Sequence, residues 1–131
     1  MKILQPPNWR RPKGYSNGVS ASGRMVFTAG VVGWDENESF PEYQLHAQFA
    51  RALRNTLQIL AEDGAGPQHV VKMTCYVVDR AEYLRSRDEI GAAWRDIMGP
   101  NYPAMALVEV KGLVESAAKV EIETTAVVEE E

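Results

Sequence analysis

Hydrophobic and polar positions divide the chain into stretches of two different periods. Ala104 to Lys111 alternates small or apolar residues with others, and so does Lys119 to Val128, where Val120, Ile122 and Thr124 oppose Glu121, Glu123 and Thr125. A period of two with β-branched residues marks a half-buried strand. Pro103 begins the first of these strands, where its missing N–H does least harm to a ladder. With only a short connection between them, the two stretches predict a closing hairpin with one core face and one charged face. Upstream, Tyr15 to Ser20 and Arg24 to Val32 predict another hairpin around Ala21-Ser22-Gly23. In its second strand Met25, Phe27, Ala29 and Val31 share one side, and Val26, Thr28, Gly30 and Val32 the other. Both sides are largely apolar, which predicts a central strand covered on both faces. Gly30 inside it implies a close approach to the backbone, by a packed helix or by a ligand.

From Glu42 the period changes. Leu45, Phe49, Leu53, Thr56, Leu57 and Leu60 follow the spacing of an amphipathic helix, which ends near Asp63 before Gly64-Ala65-Gly66-Pro67. Val70 to Val78 is a strand rich in β-branched residues. A second helix covers about Arg80 to Met98, with Leu84, Ile90, Trp94 and Ile97 or Met98 inward, and Gly99-Pro100 ends it. The first residues, up to Lys13, form an arm with a short edge strand at Lys2 to Leu4. The order β-β-α-β-α-β-β predicts an α+β fold of one domain, residues 1–131: a two-layer sandwich with two helices on one face of a mixed sheet. The other face, carrying Val26, Thr28, Val32 or their neighbours, then needs a partner, and self-association is the economical one.

Composition narrows the class. A chain of 131 residues with 45% hydrophobic and 24% charged residues suits one ordinary core. A formal net charge of −4 argues against a nucleic-acid surface, and Arg10, Arg11 and Lys13 read as a solvated loop. The single cysteine, Cys75, lies in an apolar run and reads as an inert core residue. His46 and His69 lack further ligand-type residues at metal spacing, so no metal is expected. No phosphate loop or dinucleotide fingerprint is present, and no cofactor is expected. The absence of a membrane span and of a secretory apolar region makes a cytoplasmic protein the expectation.

Four short motifs then come into view in order. Gly14-Tyr15-Ser16-Asn17-Gly18-Val19, Phe27-Thr28-Ala29-Gly30 and Val71-Lys72-Met73-Thr74 precede Pro103-Ala104-Met105-Ala106-Leu107-Val108-Glu109-Val110, which is followed by Val120-Glu121-Ile122-Glu123. Their succession over nearly the whole chain resembles the RidA family, also called YjgF or endoribonuclease L-PSP proteins. The resemblance implies the chorismate-mutase-like α+β sandwich, assembled as a homotrimer with a small-molecule cleft between neighbouring subunits. It also implies hydrolysis of reactive enamines and imines, such as 2-aminoacrylate, to a keto acid and ammonia. In that family an arginine of the closing signature clamps the substrate carboxylate. By position, Glu121 matches the glutamate that places water, Gly30 the pocket glycine and Tyr15 the tyrosine at the cleft.

The departures define the question. Met105 stands where the family usually has the arginine, and Ala106 and Leu107 replace a polar or thiol-bearing pair. Val31 replaces a glutamine, while Asp88 and Gly91 stand where an asparagine and an aromatic residue are common. The expected pocket is larger, more apolar and short of positive charge. Met105 is either the floor of a pocket for an apolar ligand or a core filler. Trp34 is either a lid over the cleft or an anchor for its own loop. Tyr15 either donates a hydrogen bond to a ligand or packs under the hairpin. Glu121 is either a catalytic acid–base group or a surface glutamate paired across the sheet, as Glu123 and Glu109 are expected to be. The expected function is hydrolytic deamination of a small imine or enamine other than 2-aminoacrylate, with Glu121 placing water. The alternative is a non-catalytic, chaperone-like or small-molecule-binding member of the family. Ribonuclease activity fits the acidic charge least.

Overall fold

β7 (Val120–Val128) is the strand to which most of the sheet attaches in the computed structural model, which describes residues 1–130. Glu131, the last residue of the acidic tail, lies outside the described residues. On one side β7 pairs antiparallel with β3 (Arg24–Phe27) and then with β4 (Val31–Val32). On the other it pairs antiparallel with β5 (Val70–Val77), and β5 pairs in parallel with β6 (Ala104–Glu109). β1 (Lys2–Leu4) and β2 (Gly18–Ser20) form a separate two-stranded ribbon. Helices fill the crossovers: α1 (Leu45–Ala61) joins β4 to β5, and α2 (Arg80–Arg85) with α3 (Arg87–Met98) joins β5 to β6. Parallel neighbours need such long crossovers. The result is the expected α+β sandwich.

Four local expectations are corrected. The closing strands do not form a hairpin, because β5 inserts between β6 and β7. Nor do residues 15–20 pair with residues 24–32: β2 pairs with β1, and β3 with β7. The expected strand over 24–32 is interrupted between Phe27 and Val31, where Thr28 donates its N–H to Thr124 O at 2.9 Å and its Oγ1 accepts from Thr124 N at 3.1 Å. The second helix breaks at Ser86, whose backbone sits at φ −104°, ψ 11° and whose hydroxyl donates to Glu82 O at 2.8 Å. Such back-bonding competes with the helical ladder. The break re-aims α2, so that Tyr83 packs on the core and Leu84, expected inward, is exposed.

The core lies between the sheet and the helices. Leu45, Phe49, Ala52, Leu53 and Leu60 of α1 and Ile90, Trp94 and Met98 of α3 meet Met73, Cys75 and Val77 of β5 and Val120, Ile122 and Ala126 of β7. The opposite sheet face is not covered on both sides as expected for residues 24–32: Met25 and Phe27 are 58% and 64% exposed. Val26 packs toward the core and Val32 is buried, so the open apolar patch belongs to their neighbours. No helix among the described residues is long and apolar enough to cross a membrane.

One buried polar residue ties the layers together. Gln48, 1% exposed, donates to Glu42 O at 3.1 Å and Ala117 O at 2.9 Å and accepts from Lys119 N at 2.7 Å. It thereby fixes the entry of β7 against α1. Replacing Gln48 by Leu strands these three backbone groups, each worth about 1 kcal/mol or more when buried without a partner. Gln48→Leu is therefore expected to lower unfolding free energy by about 3 kcal/mol, read from urea denaturation with an unchanged m-value.

Candidate functional site

A cavity of about 700 Å³ opens between β6, α3 and the loop before β2. Its floor is built by register. Met105 and Leu107 stand opposite Met73 and Cys75 in the parallel pair, so both point to the helix side of the sheet. One wall is a row of rings, with Phe49 and Trp94 centroids 6.5 Å apart and Trp94 and Tyr102 centroids 6.1 Å apart. Trp94 is held in place by its indole N–H, which donates to Asn101 O at 3.1 Å. Tyr15 reaches the cavity because its neighbour Ser16 is bound to the start of β6: Ser16 N donates to Pro103 O at 2.9 Å, and Ser16 Oγ donates to Tyr102 O. Asp88, in the first turn of α3, lies at the rim with Lys13, Arg87 and Arg95.

The other site residues fall elsewhere. Glu121 pairs in register with Tyr76 and Val32, between the fully buried Val120 and Ile122, and so points to the open face of the sheet. There it meets Gly30. A methyl group built on Gly30 would stand 2.7 Å from the Glu121 carboxyl carbon, so the end of the glutamate side chain would have to swing aside. Gly30 therefore leaves room for the glutamate in this position, which answers what approaches that backbone. No hydrogen bond or ion pair reaches the Glu121 carboxylate from the described residues. Its neighbours behave as ordinary surface glutamates: Glu123 accepts from Tyr76 Oη at 2.5 Å and Glu109 from Arg80 N at 2.8 Å. The bond to Glu123 is the main reason the Tyr76 phenol is held above its usual range.

Val31, beside Gly30, is buried opposite Ile122. Trp34 packs on Phe40 of its own loop, with centroids 6.0 Å apart, and its carbonyl accepts from Asn55 Nδ2 at 2.8 Å. It anchors the loop and lines no part of the cavity. Within one chain, then, Tyr15, Asp88, Met105 and Leu107 come together, and Gly30 and Glu121 come together, but the two groups lie on opposite sides of the sheet. Burial pushes the Cys75 thiol up to about 12, so it stays neutral in the core. His46 and His69 bond locally, to Gln44 Oε1 at 3.0 Å and from Gly66 N at 2.9 Å. No group of potential metal ligands forms among the described residues.

The residues missed from the sequence are the cationic rim and the aromatic wall. A signal existed for the rim: Arg87, Gly91 and Arg95 recur every fourth residue, which places them along one helix face. For Lys13 the sequence held none, because its place depends on how the arm folds.

Comparison with known proteins agrees with this architecture. The sequence profile of the family described as endoribonuclease L-PSP matches residues 9–128. A RutC family protein of Synechocystis is 30% identical over 97% of this chain and 96% of its own length. The crystal structure of a conserved Rid family protein, YyfB of Yersinia pestis, superposes with a TM-score of 0.82 at 30% identity, covering 97% of this chain and 98% of that one. Rv2704 of Mycobacterium tuberculosis, of the YjgF/YER057c/UK114 family, gives 0.66 at 33% identity over 88% and 87%.

The contact between Gly30 and Glu121 predicts non-additive energetics. Gly30→Ala should destabilise the wild type yet cost less in a Glu121→Ala background, with a coupling of about 1 kcal/mol in a double-mutant cycle. Strict additivity in denaturant titrations would mean that the two residues do not meet.

Proposed function

The chain belongs to the endoribonuclease L-PSP family, which includes RidA and YjgF, and on that premise we propose that it hydrolyses a small imine or enamine. The reaction takes place in a cleft completed by two copies of the chain in a homotrimer. The observation that carries this reading is the Glu121 carboxylate, unpaired and seated against the Gly30 backbone. The exposed Met25 and Phe27 on the same sheet face support assembly through that face. Assembly sets Glu121 of one copy beside the cavity of the next, where Tyr15, Asp88, Met105 and Leu107 wait.

The chemistry asks little of the protein. An enamine first tautomerises to the imine, whose carbon is already electrophilic. Glu121 holds a water molecule and takes its proton as oxygen bonds to that carbon. The nitrogen gains that proton to give the carbinolamine, whose hydroxyl proton then passes through Glu121 to the nitrogen as the C=O bond forms, the C–N bond breaks and ammonia leaves. Placement and proton transfer supply the rate. Tyr15 donates a hydrogen bond to the ligand. Met105 and Leu107 present no charge, which favours a ligand with an apolar body over 2-aminoacrylate.

A second reading, a non-catalytic binder of small molecules, is favoured by the distance between Glu121 and the cavity within one chain. Turnover separates the two. Across a panel of imines generated in situ, Glu121→Gln is expected to cut ammonia release by about 10²-fold or more. Unchanged turnover in that variant would remove Glu121 from the mechanism. Assayed on 2-aminoacrylate beside a relative that carries the signature arginine, this protein is expected to be much the slower. Equal rates would mean that Met105 is no handicap.

A further inference from the structure

The charge around the cavity points to a ligand class. In a chain of net charge −4, three cations, Lys13, Arg87 and Arg95, face this one opening against a single carboxylate, Asp88. None of the three is neutralised: no carboxylate of the described residues lies within 4.0 Å of their charged nitrogens. Arg87 is tethered at the rim, its Nε donating to Leu84 O at 3.3 Å. Arg95 is not tethered. Its guanidinium folds back along α3 toward the opening and rests over Gly91, with Nη1 3.3 Å from where a side chain on that glycine would begin. A larger residue at position 91 would compete for the space the guanidinium now occupies. The opposite side of the cavity, Met105 and Leu107 with the rings of Trp94 and Tyr102, is apolar.

From this polarity we propose that the cavity binds a carboxylate carried on an aromatic or similarly apolar body, with Arg95 as the clamp. The acid group sits at the α3 rim, where Arg95 offers two parallel N–H donors and Lys13 and Arg87 add to the field. The apolar body lies over Met105 and Leu107 against the aromatic wall. Recognition of the anion thus comes from the helix and not from the strand floor. Asp88 limits the site to anions of low charge. The inference rests on the proposal that this cavity holds the ligand, and it is independent of whether hydrolysis follows.

Phenylacetate and its neutral counterpart phenylacetamide test it, titrated into the 131-residue protein by calorimetry with intrinsic tryptophan fluorescence as a second readout. Phenylacetate is expected to bind about tenfold or more tightly than the amide, as a charge-assisted contact requires, and the preference should shrink in high salt. Arg95→Gln should weaken the acid about tenfold while changing the amide less than about twofold, and Arg95→Lys should restore part of the loss. Because Arg95 is exposed, these variants are expected to fold normally. Equal binding of acid and amide, or equal weakening of both by Arg95→Gln, overturns the clamp and leaves the cavity as the ligand site. Failure of both compounds to bind overturns the cavity reading, and the clamp with it.

Discussion

The register of β7 is the constraint on which the rest of the molecule depends. Three strands take their alignment from it directly, and β6 takes its alignment through β5. Side chains alternate along a strand, so a slip of one residue would send Glu121 and Glu123 into the core and Ile122 and Thr124 out of it. Burying two unpaired carboxylates costs many times what any alternative pairing could return. The charge pattern of β7 therefore excludes wrong registers as firmly as its apolar residues favour the right one. Gln48 reinforces that choice where β7 begins, by capturing backbone groups on both sides of the strand's entry.

The same alternation separates the two halves of the functional apparatus. Met105 and Leu107 face the helices, while Glu121 faces the open side. A cavity on one side and a carboxylate on the other do little within one chain. In the proposed assembly the two are brought together as copies meet through the open face, whose exposed Met25 and Phe27 give an apolar reason to associate. Gly30 fits this arrangement. It leaves the glutamate side chain room against the backbone.

The cavity combines two chemistries that the chain places on different elements. The floor and aromatic wall come from β6, from Phe49 of α1, Trp94 of α3 and Tyr102 just before β6. The cationic rim comes from the outer side of α3 and from Lys13 in the arm. The break at Ser86 matters here because it starts α3 afresh, with Arg87 and Asp88 in its first turn beside the opening. A polar break in a helix thus becomes a means of aiming charged side chains.

Periodicity alone was enough to recover α1, β5, β6 and β7 to within a few residues, the alternation of Val120, Ile122 and Thr124 with Glu121 and Glu123, and the two-layer class. These features are legible because they are local: alternation and helical spacing are properties of neighbours along the chain. The family was legible for a related reason, since its motifs are short and keep their order. Pairing was not. Neither predicted hairpin forms, because strand partners are chosen by long crossovers and by burial over the whole sheet. The place of Lys13 at the cavity was hidden for the same cause. What the sequence by itself determined was which residues alternate, which lie on one helix face and which motif each belongs to. Only the tertiary structure decided that Glu121 rests on Gly30 and that Tyr15 shares a cavity with Met105, because each pair joins residues far apart in the chain that packing alone brings together.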